Sequence, residues 1–224
     1  APNTKLSDAL ADGATFEAGA ALGGWAGLAV EILPLERLVL NFVQRLSGVA
    51  TATRRHVREV EGTTAEVYDT RKTTPGWRKL EKYAVRVGGG RNHREGLFDA
   101  ALIKDNHLAL ARKNGMGVQE VVGKVREAVG KEVFVEVEVA SLADLDEALS
   151  SGADAVLLDN MSVQELREAV ARAKRKRAGI ELEASGGVGL ANIRRIAETG
   201  VTRISVGALT HSARALDIAF ECVP

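Results

Sequence analysis

The chain has 224 residues, 30 Lys plus Arg against 30 Asp plus Glu, 46% hydrophobic residues and one cysteine. That length suits one large α/β domain with a small appendage. The balanced charge excludes a global basic field that would recruit nucleic acid or an anionic membrane, and the lone Cys222 excludes an internal disulfide framework. The apolar run from Ala18 to Val30 is shorter than the roughly 20 residues of a membrane span, and nothing near the start reads as a secretory signal. A reducing cytoplasm is the expected compartment.

In chain order, Asp12-Gly13 and Ala18-Gly19 mark turns between short strands in a small first module, residues 1–36, that reads as incomplete and lacks an initiator Met. Residues 37–224 read as the catalytic domain. A long amphipathic helix is predicted from about Leu38 to Val60, with a break at Ser47-Gly48. Ala65 to Tyr68 and Ala100 to Ile103 read as strands, with a helix from Leu80 to Val87 between them, closed by Gly88-Gly89-Gly90. Four βα units follow: strand Val133 to Val139 with helix Leu142 to Leu149; strand Ala155 to Leu158 with helix Val163 to about Lys176; strand Ile180 to Ala184 with helix Leu190 to Glu198; and strand Arg203 to Val206 with helix Ser212 to Phe220. Ser141 and Ser162 are the expected N-caps, and Gly200 ends its helix.

Consecutive βα units imply a parallel sheet. Each strand ends on a chemically useful group, Glu138, Asp159, Ser185-Gly186-Gly187 or Gly207, and no Gly-rich fingerprint follows the first strand. Polar groups at strand carboxyl ends, with Gly-rich phosphate loops after the last strands, fit a barrel better than a doubly wound sheet.

Charge is uneven along the chain. Thr51 to Lys113 holds 14 Lys/Arg against 8 Asp/Glu, whereas Lys131 to Glu165 holds 1 against 9. This fits a basic half meeting an anionic substrate and an acidic half meeting a metal or a developing positive charge, although solvated helix faces would give the same pattern. Arg71 and Lys72, in Asp69-Thr70-Arg71-Lys72-Thr73-Thr74-Pro75-Gly76, offer a planar fork and a point charge, or ordinary rim salt bridges. His93 and Arg94 follow the triple glycine, and Lys104 ends an apolar strand where an unpaired charge is rarely idle. These five make a cationic pocket suited to a dianion, opposite Glu138 and Asp159, which suit Mg²⁺, ribose hydroxyls or an oxocarbenium-like centre. Glu136 shares the face of Glu138, so pattern alone leaves open which of the two serves.

Together, E-R-L-V-L-N-F-V-Q-R-L-S-G-V-A-T-A-T-R, D-T-R-K-T-T-P-G, K-Y-A-V-R-V-G-G-G-R-N-H-R, A-A-L-I-K-D-N-H, V-E-V-E-V, L-L-D-N, E-A-S-G-G and I-S-V-G-A-L-T-H-S, from about Glu36 onward, resemble the quinolinate phosphoribosyltransferases, the decarboxylating nicotinate-nucleotide pyrophosphorylases. Each segment is weak alone; eight in the family's order are specific. The resemblance implies an open, incomplete α/β barrel (TIM-like) preceded by part of a small α+β N-terminal domain, shorter than the family's. It implies a homodimer or higher oligomer with shared active sites, Mg²⁺, and transfer of phosphoribosyl from phosphoribosyl pyrophosphate to quinolinate with decarboxylation, for NAD biosynthesis. By motif position, Arg71, His93, Arg94 and Lys104 would bind the quinolinate carboxylates, with Thr70 lining the site. Lys72 would contact phosphoribosyl pyrophosphate, Glu138 and Asp159 its ribose and metal, and Ser185, Gly186, Gly207 and His211 its 5′-phosphate. Arg37 would enter the partner subunit's site. Rival readings are a lyase using Lys104 as a Schiff-base nucleophile, a related phosphoribosyltransferase of another substrate, and an inactive phosphate-binding scaffold.

Overall fold

From residue 66 onward β-branched strands alternate with capped helices, and the structure, a computed structural model that describes residues 3–222, gathers six of the strands into one parallel sheet. The elements preceding this run are β1 (Lys5–Ser7), β2 (Gly24–Ala26) and α1 (Ala29–Val60). The sheet and its helices comprise β3 (Glu66–Tyr68), α2 (Arg78–Val87), β4 (Ala100–Ile103), α3 (Asp105–Lys113), α4 (Val118–Val129), β5 (Phe134–Val139), α5 (Leu142–Leu149), β6 (Ala155–Asp159), α6 (Val163–Lys176), β7 (Glu181–Ser185), α7 (Ile193–Ala197), β8 (Arg203–Ser205) and α8 (Ala208–His211). Strand order is β3-β8-β7-β6-β5-β4, so β3 and β4 form the two edges of an open barrel. β1 and β2 pair antiparallel in a separate two-stranded sheet.

Successive side chains on a strand point to opposite faces. One face of the sheet is apolar: Val67, Val135, Val137, Val139, Val156, Leu158, Leu182, Ala184 and Ile204 are buried with the helix residues Leu145, Leu166, Val170 and Ile193 in a single core. The opposite, inward face is polar. Register places Glu136 and Glu138 of β5, Asp159 of β6, Glu183 and Ser185 of β7, and Arg203 and Ser205 of β8 on it.

The predicted caps are present: the Ser141 side chain accepts from the Asp144 amide, and Ser162 forms a reciprocal capping box with Glu165. α7 ends at Ala197 with Glu198 as its C-cap; Gly200, expected to end that helix, lies three residues beyond it and turns the chain with φ +93°, a conformation that costs a residue with a Cβ.

The structure departs from the sequence expectations in several places. The first helix starts at Ala29, not Leu38, runs through Pro34, and does not break at Ser47-Gly48. Gly48 is there for packing, since a Cβ on it would lie 2.1 Å from the Arg214 carbonyl oxygen. The boundary drawn between residues 36 and 37 therefore falls inside α1. Residues 105–129, for which no element is predicted, form α3 and α4. The final helix expected from Ser212 to Phe220 is replaced by the short α8 and an irregular segment. Its backbone groups are taken by α1 instead: Arg45 donates to the Ala213 carbonyl, Gln44 Nε2 to the Ile218 carbonyl, and the Leu216 amide donates to the Gln44 carbonyl.

Candidate active site

Parallel strands deliver their carboxyl ends to one rim. Lys104 follows β4 and sits 4.0 Å from Glu138 Oε2 at the end of β5. Glu138 is partly buried; burial pushes its carboxyl pKa up, Lys104 pulls it down and the neighbouring Asp159 pushes it up again. Asp159 lies on the same face of β6, where Asn160 Nδ2 donates to its Oδ2 at 2.7 Å. Asn160 holds a left-handed φ of +55° while its amide donates to the Ser185 carbonyl. Gly186 packs so closely on the Asn160 side chain that a Cβ would fall 2.2 Å from Oδ1. Asn160 thus links the β6 carboxylate to the glycine turn after β7, a role the sequence reading missed.

Two further cations, Arg71 and Lys72, follow β3, and Arg94 lies on the segment that leads into β4. Arg94 has its pKa lowered first by burial and then by the charge of Arg71, which places two guanidinium groups in one small region; Glu136, Asp99 and Glu138 act in the opposite sense. Arg71 donates to the Gly96 carbonyl and Arg94 to the Ala100 carbonyl. The Thr70 hydroxyl accepts from the Lys72 amide, turning the chain so that the Lys72 stem lies against Gly207 and His211: a Cβ on Gly207 would meet His211 Nε2 at 3.1 Å and Lys72 Cδ at 3.4 Å. The structure therefore brings Arg71 with Arg94, Lys104 with Glu138 and Asp159, and Lys72 with Gly207 and His211.

Two predicted residues sit elsewhere. Arg37 lies on α1 with its side chain 73% exposed, paired only loosely with Glu36 at 3.6 Å. His93 turns down into the barrel, where Nε2 lies 3.0 Å from Glu136 and 3.4 Å from Glu183, beneath the rim rather than on it. This separates the two glutamates of β5: Glu136 is 1% exposed and belongs to the interior, whereas Glu138 reaches the rim.

The interior is an ionic network that the sequence reading did not foresee. Arg203 Nε lies 3.0 Å from Glu183, its NH1 donates to Glu181, and its guanidinium carbon lies 4.2 Å from the centre of the Tyr68 ring. Burial pulls the His93 pKa down, but hydrogen bonds and charge from Glu136 and Glu183 outweigh it and push it up to about 9. The Arg94 amide points at Nδ1 from 2.8 Å and opposes a second ring proton. In this arrangement Nδ1 accepts the amide and Nε2 carries the ring proton toward the two carboxylates, at 3.0 and 3.4 Å. Burial and Glu183 raise the Glu136 pKa; the Glu183 carboxyl, although buried, is held low by His93 and Arg203. The signal available in the sequence is glutamate alternating with apolar residues in V-E-V-E-V and E-L-E.

His93, Glu136 and Glu183 also bring one ligand atom each within 4.8 Å, close enough for a metal. With Arg203 Nε 3.0 Å from Glu183, the three side chains form a buried network of opposite charges in the absence of any ion. The rim pair Glu138 and Asp159 supplies the hard oxygen donors that Mg²⁺ takes, one or two carboxylates with substrate phosphates completing the shell. A separate hollow of about 580 Å³, lined by Glu66, Tyr68, Arg86, Gly89, Gly90, Arg91 and Asn92, lies at the outer edge of β3 and holds none of the candidate residues.

The family description "Quinolinate phosphoribosyl transferase, C-terminal domain" matches residues 49–221, the whole six-stranded sheet and its helices. The chain belongs to the quinolinate phosphoribosyltransferase family. It is 45% identical over 210 residues to the probable nicotinate-nucleotide pyrophosphorylase [carboxylating] of Bacillus subtilis, covering 94% of this chain and 70% of that one. It is 47% identical over 212 residues to the nicotinate-nucleotide pyrophosphorylase [carboxylating] of Mycobacterium leprae, covering 94% and 72%. The fold is similar to the crystal structure of the Ehrlichia chaffeensis nicotinate-nucleotide pyrophosphorylase, with TM-score 0.88 and 39% identity over 96% of this chain and 76% of that one. The open barrel and the small antiparallel module are thus the architecture of this family. No helix among the described residues is long and apolar enough to cross a membrane.

Proposed function

We infer that this chain transfers the phosphoribosyl group of phosphoribosyl pyrophosphate to the ring nitrogen of quinolinate, with loss of CO₂, giving nicotinate mononucleotide and pyrophosphate for NAD biosynthesis. The observation that carries the reading is the placement of Arg71, Arg94 and Lys104, cations from three separate segments, around β4, Arg71 donating to the Gly96 carbonyl and Arg94 to the Ala100 carbonyl, with Lys104 4.0 Å from the strand-end carboxylate Glu138, on the same sheet face as Asp159. The cations suit a pyridine dicarboxylate, and the carboxylates suit a sugar that becomes positively charged.

Arg71, Arg94 and Lys104 hold the two carboxylates and aim the pyridine nitrogen at the anomeric carbon, with Thr70 lining the site and His93 supporting Arg94 from below. As the nitrogen attacks, the bond to pyrophosphate breaks and its electron pair leaves with the pyrophosphate. Glu138 and Asp159 stabilise the positive charge on the ribose ring. Lys72, Ser185, Gly186, Gly207 and His211 hold the phosphates. Mg²⁺ bound by Glu138, Asp159 and the substrate would neutralise the departing charge. In the pyridinium product the bond to the carboxylate beside the ring nitrogen breaks, CO₂ leaves, and the electron pair stays on that ring carbon, stabilised by the adjacent positive nitrogen, until it takes a proton from water; decarboxylation thus requires orientation rather than a protein nucleophile. The Schiff-base reading of Lys104 loses support, because its side chain is half exposed and faces a carboxylate instead of being desolvated.

The exposed Arg37, on a helix that also exposes Val30, Leu33 and Leu38, fits a residue that completes the site of a second copy. The test is pyrophosphate release with Mg²⁺ present. Quinolinate should be used far better than nicotinate, which leaves part of the cationic pocket unpaired; comparable kcat/KM for the two acids would remove the reading.

A further inference from the structure

Two consecutive residues of α2, Glu81 and Lys82, are fully buried at 0% and 1% exposure, although neither touches the rim and neither charge is used by the mechanism above. Successive helix positions diverge by about 100°, so the two side chains leave α2 in different directions. Glu81 faces the loop after β3 and the C-terminal segment. Its carboxylate accepts from the Thr74 amide at 3.0 Å, the Thr74 hydroxyl at 2.8 Å and Arg45 at 2.8 Å. Arg45 donates in turn to the Thr210 and Ala213 carbonyls, and the Thr210 hydroxyl donates to the Lys72 carbonyl at 2.7 Å. One buried carboxylate therefore ties together the backbones that carry Lys72 and His211.

Lys82 faces the other loop. Its Nζ donates to Asp69 Oδ1 at 2.6 Å and to the His93 carbonyl at 2.8 Å. Asp69 Oδ1 also accepts the His93 amide at 2.8 Å, and Oδ2 accepts Asn92 Nδ2 at 2.7 Å. Both backbone polar groups of His93, the residue before Arg94, are thereby held by one buried ion pair.

We propose that Glu81 and Lys82 are positioning residues that divide the two substrates between them, Glu81 fixing the phosphoribosyl pyrophosphate side of the site and Lys82 the quinolinate side. The assignment rests on the functional reading above. Displacement of a binding group by about an ångström costs up to 10²-fold, so loss of either anchor is felt at the rim without any change in the residues that touch substrate.

The experiment measures pyrophosphate release, varying each substrate with the other saturating, for wild type, Glu81→Gln and Lys82→Met. Glu81→Gln should raise the KM for phosphoribosyl pyrophosphate on the order of tenfold and leave that for quinolinate within about twofold; Lys82→Met should do the reverse, with kcat within about threefold in both. Thr74→Val, which removes the hydroxyl bonds to Glu81 and Arg45, and Asn92→Ala, which removes the bonds to Asp69, the Lys82 carbonyl and Arg86, should show the same split at smaller size and decide the matter where a buried-charge variant fails to fold. A loss of stability alone would move both KM values together or neither, and either result with an active wild type overturns the division of labour. An inactive wild type removes the functional reading, and this inference with it.

Discussion

Replacing Glu183 with glutamine removes one formal charge from the barrel interior and leaves the shape of the side chain. Glu183 is 0% exposed and lies 3.0 Å from Arg203 and 3.4 Å from His93, so the variant leaves the buried Arg203 cation and the His93 ring beside Glu136 alone, whose pKa is raised. Breaking a buried ion pair at one partner costs ~3–5 kcal/mol. Glu181, 2.9 Å from Arg203 and 47% exposed, keeps part of the compensation, so the lower end applies, ~3 kcal/mol. In a chain of this size 1 kcal/mol moves Tm by about 2–4 °C, giving a fall of about 6–12 °C at pH 7. Thermal unfolding followed by circular dichroism, with wild type and variant at one protein concentration, reads this directly. Adding Arg203→Met should recover part of the loss, since the orphaned cation goes with it. A Tm within about 2 °C of wild type, or a double variant that simply adds a second penalty, would refute the network as a coupled unit.

The same network predicts a pH dependence. The His93 pKa is raised from 6.5 to about 9, so its contribution is complete below pH 6.5 and is lost as pH rises through about 9; wild type should lose Tm over that window more steeply than His93→Asn, and parallel curves would contradict the assignment. Gly48→Ala puts a methyl 2.1 Å from the Arg214 carbonyl oxygen, so it should lower the denaturant midpoint by the equivalent of ~1–3 kcal/mol despite the better helix propensity of alanine. Unchanged stability would mean that the C-terminal segment does not pack there. Arg37→Ala and Asp159→Ala should each be nearly inactive, yet mixed subunits should recover about a quarter of wild-type activity because one of the two sites in a mixed dimer is intact; no recovery after demonstrated exchange would place Arg37 outside the partner's site.

The parts of this fold that depend on neighbours in sequence are legible from it. Ser141 and Ser162 announce their helices because a cap bonds only three residues away, and the strand-end groups Glu138 and Asp159 fall on the rim because parallel strands share a direction. Register, by contrast, is a relation between distant segments. Glu136, Glu183 and Arg203 look like exposed strand charges until β5, β7 and β8 are aligned and His93 is dropped between them. Glu81 and Lys82 read as ordinary helix charges, because nothing nearby in sequence shows that Arg45 and Asp69 await them. The missing final helix has the same origin: its hydrogen bonds are claimed by Gln44 and Arg45, more than 160 residues earlier.

The two edges of the sheet never meet, and a single strap crosses the gap. Arg91 bridges to Tyr68 on β3, and nine residues later Ala100 opens β4. His93 and Arg94 lie near one anchorage of that strap: the His93 ring faces Glu136 and Glu183 across the barrel, and Arg94 donates to the carbonyl of Ala100, the first residue of β4. A closed eight-stranded barrel has no such gap. Here the gap ties the position of Arg94 to the spacing of the two sheet edges.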